Sequence, residues 1–278
     1  MFRLLAAAGL FCACASSPLI RSDDAEFHAA QERLAATEER VQRQAASPAE
    51  AALFLQAESF YRYRWTLQLH DGRAYALQTA AAVLDFGPFS ALASGNGIGD
   101  LRLQAYDGAA QLFEAHLARF PQSALAPLAL WRLGWAYRAG QTEAFPRGSD
   151  AVFTELIRRD DPLLSPLAAE ARAAPWKSQD TAVALSVLPG LGQIYAGETL
   201  NGVVRMVLAA GFTALMVAPL AIAARQGSLG WQRLAVSTAG FIGLQVVYTT
   251  AYQDAQRAAL EYDEREEAAF LAAHPSAP

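Results

Sequence analysis

Residues 189–198 read PGLGQIYAGE, and after three more residues the chain enters GVVRMVLAAGFTALMVAPLAIAA, residues 202–224. Glycines ahead of a helix serve two ends. They can cradle a phosphate at a helix N-terminus, or they can let backbone turn tightly beside other helices. A dinucleotide fingerprint needs G-x-G-x-x-G between a strand and a helix. From Gly190 the spacing is G-x-G-x-x-x-x-G, the preceding TAVALSVL is apolar but short, and no acidic partner follows a second strand. The phosphate reading falls on those grounds. Gly95, Gly97 and Gly99 in SALASGNGIGD fall the same way, since no strand precedes them and no P-loop lysine follows; they read as a loop.

The flanking sequence favours a membrane turn. Met206–Ala224 and Leu234–Tyr252 are two runs of 19 residues without a charge. At ~1.5 Å per residue each nearly spans a hydrocarbon core of ~30 Å. Between them RQGSLGWQR carries Arg225 and Arg233 with no acid, which marks the cytoplasmic side. The stretch after the second run, QDAQRAALEYDEREEAAF, is acidic and is expected on the opposite side with an exported N-terminus. Small residues recur every fourth position, Ala210, Ala214, Ala218 and Ala235, Ala239, Gly243, and such ridges are expected to pack the two helices together. Gln245 is expected to face the partner helix. Arg205, near a span end, is expected to snorkel to the interface.

The glycine stretch resembles a motif of small bacterial membrane domains, P-G-x-G-Q-x-Y-x-G followed by a glycine and a helical hairpin. Pro189, Gly190, Gly192, Gln193, Tyr195, Gly197 and Gly202 match it. The resemblance implies a membrane domain, residues 180–253, without naming an activity. The turn is re-entrant or interfacial, and Tyr195 suits the interface.

The 278 residues carry 22 basic and 27 acidic side chains, a net charge of −5, with 53% hydrophobic and 18% charged residues. An acidic balance argues against nucleic acid as a partner. Cys12 and Cys14 are the only cysteines, so the rest of the chain has no disulfide, zinc cluster or thiol nucleophile. His28, His70, His116 and His274 lack ligand spacing, and no metal or cofactor site is expected. The N-terminal MFRLLAAAGLFCACASSPLI has the plan of a secretory signal over residues 1–14. LFCAC before ASSP resembles a bacterial lipoprotein signal, which implies lipidation at Cys14. An ordinary signal peptide with incidental cysteines is the alternative.

Residues 15–45 read as a helical spacer with a thin seam, Phe27, Leu34 and Val41. Ser47-Pro48-Ala49-Glu50 is a helix start: Ser47 caps, Pro48 suits the first position, and Glu50 closes a capping box. Residues 104–174 carry the clearest helical pattern. Phe113 and Phe153 stand 40 residues apart and Pro121 and Pro162 stand 41 apart, which is helix-pair repetition. Here the chain resembles the tetratricopeptide family. Leu133-Gly134-x-x-Tyr137 matches its first-helix motif, and Ala109-x-x-x-Phe113 matches its second. FEAHLARFPQSALAPLALWRLGWAYRAG looks like the subgroup in periplasmic envelope proteins, including outer-membrane assembly lipoproteins. The resemblance implies that Ala109, Phe113, Leu133, Gly134, Tyr137 and Phe153 pack paired helices and that Arg132 faces solvent.

The expected fold is all-α: a tetratricopeptide-like domain over 46–175, a membrane hairpin over 180–253 and an acidic tail over 254–278. No paired catalytic constellation is present, and solvated faces account for Asp23-Asp24, Glu38-Glu39 and Asp160-Asp161. The expected function is a non-catalytic scaffold in the bacterial inner membrane. Its repeats and tail lie in the periplasm and bind an unidentified envelope protein or peptide. The alternative places the function in the hairpin, in membrane transport or protein insertion.

Overall fold

The structure, a computed structural model, describes residues 35–62, 101–140, 148–228 and 230–278. Cys14, Phe27, Leu34 and the glycines of 95–99 lie outside these residues. Among the described residues the fold is all-helical, with no strand. The elements are α1 (35–44), α2 (48–62), α3 (Leu101–Arg119), α4 (Ala126–Ala139), α5 (Ser149–Arg158), α6 (Leu164–Ala173), α7 (Gln179–Leu185), α8 (Leu191–Tyr195), α9 (Thr199–Gln226) and α10 (Trp231–Ala273). They divide into two compact units. The core unit holds α1 to α6 and residues 260–278, and the hairpin unit holds residues 177–259.

In the core unit the helix ends follow their capping chemistry. Glu50 N–H donates to Ser47 Oγ at 3.2 Å, so Ser47 caps α2, and the Glu50 carboxylate reaches back past the cap to accept Ala46 N–H at 2.7 Å, a variant of the expected capping box. Ser123 Oγ accepts Leu125 N–H at 2.9 Å just before α4. The sequence suggests that Ser165-Pro166 starts the last helix of this pattern, and the start of α6 departs from that expectation. Asp161 Oδ1 accepts the N–H groups of Leu163 and Leu164 at 3.0 and 2.8 Å, so Asp161, not Ser165, opens the helix. Asp161 is thus a cap rather than part of a solvated face.

Helix α4 is the centre of the unit. It is apolar nearly all round, and every residue from Leu128 to Ala139 is buried. Gly134 sits against Phe153, and a Cβ built there would stand 2.5 Å from the ring. Ala109, Phe113, Leu133, Tyr137 and Phe153 are buried in the same core. Val41 of α1 and Leu260 of α10 join it. The unit is therefore broader than residues 46–175. It begins before them, and it takes in the stretch read as an acidic tail.

In the hairpin unit α9 and α10 are long and apolar enough to cross a membrane, and they contain the two charge-free runs. Gly227, at φ +67°, ends α9 in the left-handed conformation that suits glycine. The helices run antiparallel. Gly243 takes the Phe212 ring, Gly240 takes the Met216 backbone, and Ser237 Oγ donates to Met216 O. On α9 the expected ridge is not the contact, whereas on α10 Gly243 of the expected ridge is. Ala210, Ala214, Ala218 and Ala235 are exposed, and the seam on α9 uses Ala209, Phe212, Met216 and Ala223. Two stripes one residue apart lie ~100° apart around a helix, and alanine occupies both, so spacing alone could not choose between them. Gln245 is half-buried.

Enlarging Gly134 tests the core directly. Gly134→Leu in the full-length, detergent-solubilised chain should cost about 1–3 kcal/mol through overpacking against Phe153. An unchanged melting temperature would mean that α4 and α5 do not meet there.

Candidate functional site

Two constructions concentrate polar chemistry. The first is the glycine elbow of the hairpin unit. Ser178 Oγ accepts Thr181 N–H at 3.2 Å and starts α7, which ends before Pro189-Gly190. Gly190 has φ +102°, where a side chain would be strained, and its Cβ would collide with the Gly202 carbonyl. Reciprocally, a Cβ on Gly202 would stand 2.5 Å from Gly190 O and from Ile194 Cγ1. These two glycines let the elbow lie on the first turn of α9. Gly192 meets α10: its Cβ would stand 2.6 Å from Ala255 Cβ. Around it Ala182, Ala196, Ala255, Ala258 and Ala259 form a small cluster with Tyr195 packed on it. Alanines fill this cluster between α7, α8 and α10, so the backbones come close. Gly197, at φ +92°, turns the chain from α8 into α9.

The elbow's polar residues are anchored within it. Tyr195 Oη accepts Ser178 N–H at 3.1 Å, and Lys177 Nζ stands 4.7 Å over the Tyr195 ring. Pro189 is buried. Gln193 is fully buried, its Nε2 donates to Ala251 O at 2.8 Å, and its Oε1 has no hydrogen-bond partner among the described residues. One turn along α9 from Gly202, Arg205 pairs with Asp254 and donates to Thr250 Oγ1 at 2.7 Å. The two charged side chains are only 13% and 11% exposed. Arg205 does not snorkel away alone; it closes the base of the hairpin against a carboxylate. Asp254 was missed because it falls just after the second charge-free run. The signal that could have found it is hairpin symmetry, since Arg205 and Asp254 stand at matching distances from the loop at 227–230.

The second construction lies in the core unit, where residues 260–278 meet α2, α3, α4 and α6. Glu58, fully buried, accepts Arg62 Nε at 2.6 Å and Arg132 Nε at 3.1 Å. Arg62 also donates to Thr37 Oγ1 at 2.9 Å. Arg132, expected at the surface, is 3% exposed. Its guanidinium lies 5.3 Å over the Tyr61 ring and donates to Pro278 O at 2.9 Å. Tyr61 Oη donates to Glu267, and Tyr106 Oη donates to Glu264 at 3.1 Å. Phe270 packs between Trp131 and Trp135, with ring centroids 5.8 and 5.5 Å away. His274 contacts Glu170 Oε2 at 2.9 Å.

The electrostatics follow from burial. Desolvation pushes the Glu58 carboxyl up, but Arg132 and Arg62 outweigh it and hold the group below its usual value. Desolvation works against the Arg132 charge as well, and Glu58, Tyr61 and Glu267 more than restore it. His116, also buried, is held below the usual imidazole value by desolvation, with Glu50 opposing; its Nε2 lies 3.4 Å from Glu50 Oε1. These groups fix geometry and charge. They form no nucleophile–base pair.

Two substitutions separate the constructions. Gly202→Ala should weaken the elbow by about 1–3 kcal/mol, because backbone lies on its far side; its thermal shift in detergent measures this, and none is expected if the elbow does not touch α9. Arg132→Met should cost about 3 kcal/mol, because it strips a partner from a buried carboxylate. Glu58 also sets an acid limb. Its folded value is depressed below 4.5, so the unfolded chain takes up the proton first. Its contribution is complete above 4.5 and is lost as pH falls through the folded value. Arg132→Met should flatten that limb in melts recorded from about pH 6 to 3, and an unaltered limb would remove Glu58 as its source. Comparison with known proteins finds no matching family, curated protein or solved structure.

Proposed function

We propose that the chain is a non-catalytic, membrane-anchored scaffold of the bacterial cell envelope. Its core unit is a tetratricopeptide-like helical domain on the periplasmic side, α9 and α10 cross the inner membrane, and Cys14 carries a lipid. The observation that carries the reading is α10. It runs unbroken from the second charge-free stretch to Ala273, and from Leu260 onward it belongs to the core unit. One helix thus serves as membrane span and as core element.

This continuity bears on topology. Residues 101–176 and 260–278 share one folded unit, so they lie on one side of any membrane, and the chain between them crosses an even number of times. Helices α9 and α10 supply two crossings. Helices α7 and α8, at 7 and 5 residues, are too short to add a third. The elbow therefore reads as re-entrant. Val187 and Leu188 are each 60% exposed beside it, and Gly190 lies against Met206, the first residue of the charge-free run. An apolar tip at that level fits insertion into one leaflet.

A second reading, function in transport or protein insertion, draws on the Arg205–Asp254 pair and the buried Gln193 beside the elbow. The pair is mutually neutralised, and a scaffold accounts for it as the hairpin's clasp.

Topology decides whether the scaffold reading holds. Ser228 and Ala268 are exposed and suit single-cysteine labelling, in a chain with Cys12 and Cys14 replaced and a working export signal supplied. In intact spheroplasts an impermeant thiol reagent should label position 268 and spare position 228. Labelling of 228 alone would reverse the orientation, and labelling of both would mean that α9 and α10 do not cross.

A further inference from the structure

The core unit already holds a helix in a groove, and that helix is its own. Leu260, Glu264, Glu267, Leu271 and His274 form one stripe of α10 at helical spacing. A helix built only to complete a core would present apolar side chains along this stripe. Here two of the central positions are carboxylates, each accepting a tyrosine hydroxyl, and Phe270 stays half-buried although it lies between two indoles. The groove is aromatic and cationic where the helix is acidic: Glu261, Asp263, Glu264, Glu266 and Glu267 stand against a single Arg265 over this stretch.

The fit leaves donors over. Trp131 Nε1, Trp135 Nε1 and Arg138 Nη1 are buried with no acceptor among the described residues. The two indoles flank Phe270 and belong to this face, whereas Arg138 is turned to α5 and α6, where its Nε donates to Ser149 Oγ and its Nη2 to Arg172 O, each at 3.2 Å. Buried donors without acceptors cost free energy that a better ligand recovers. We propose that the face lined by Tyr61, Tyr106, Trp131, Arg132 and Trp135 is a docking groove for an acidic amphipathic helix of a partner protein, held in cis by residues 260–274 until that helix displaces them. The occupant has the pattern acid-x-x-acid-x-x-aromatic, as in Glu264, Glu267 and Phe270, with a further carboxylate near the aromatic residue to meet the indole donors. This deepens the scaffold reading and rests on it.

The test uses the purified full-length chain in detergent and, as probe, a fluorescein-labelled peptide with the sequence of residues 258–278. Vacating the groove with Phe270→Ala and Glu267→Gln should let the peptide bind at least about tenfold more tightly than it binds the unaltered chain, as read by anisotropy. A peptide with Glu264 and Glu267 replaced by Gln should not bind. Equal binding to both chains, no binding to the altered chain, or equal binding of the Gln peptide each overturns the groove. Should the double substitution abolish the cooperative melt, Glu264→Gln, which leaves the apolar contacts intact, is read by the same criteria. Membrane retention of the chain is scored in parallel: lost binding with retention removes only the groove, whereas release into the soluble fraction removes the scaffold reading itself.

Discussion

Helix α4 has no side that tolerates water. Its sequence, APLALWRLGWAYRA, puts tryptophan, leucine, tyrosine and alanine around the whole circumference, and its two arginines point inward too. Such a helix is stable only when covered on every face. Consecutive helices cover part of it, α3 before and α5 and α6 after. The remaining faces need elements from elsewhere in the chain. Glu58 of α2 meets Arg132, and Phe270 of α10 meets Trp131 and Trp135. The return of the C-terminal segment is thus a requirement of α4, and with it comes the discontinuous core unit, interrupted in sequence by the whole hairpin.

The hairpin unit answers a different constraint with different residues. Its local cluster is all alanine, which gives little apolar area to bury. Its glycines bring backbones together instead, Gly190 on Gly202 and Gly240 on Met216. Close backbone approach favours van der Waals contact, the main attraction left between helices once lipid surrounds them. The outer faces of α9 carry Val207, Leu215, Val217, Leu220 and Ile222 to the exterior. In water that surface would be a liability; in lipid it is the normal exterior. Aromatic packing in one unit and small-residue packing in the other therefore point to two solvents.

Local signals were legible in the sequence, and pairwise ones were not. Ser47 caps α2 and Glu50 reaches back to Ala46, and every atom involved lies within five residues. Gly134 and the charge-free runs were legible because a single residue type, or its absence, carries the meaning. Arg132 was misread. An arginine on a helix defaults to solvent, and nothing near it in sequence reveals Glu58, 74 residues away. The seam on α9 slipped by one position because alanines occur on adjacent stripes, whereas Gly243 on α10 was expected there. Asp254 lay outside the window defined by charge-free length, because its own charge closes that window. The packing of the acidic tail was not legible because two of its carboxylates, Glu264 and Glu267, meet tyrosine hydroxyls, which carry no opposite charge to betray them.

That last pairing explains why composition misled. A carboxylate that meets an arginine can be sought by charge complementarity, whereas one that meets a phenol cannot. Glu264 and Glu267 accept the hydroxyls of Tyr106 and Tyr61, and the Arg132 guanidinium lies above the Tyr61 ring. The neutral hydroxyls desolvate more cheaply than a second and third arginine would. The acidic helix can therefore dock over a largely aromatic face without burying a row of ion pairs. Hydrogen bonds from both phenols hold the segment in register, and breaking them without a substitute would leave buried carboxylates unpaired, so under the proposed exchange an incoming helix must supply carboxylates of its own.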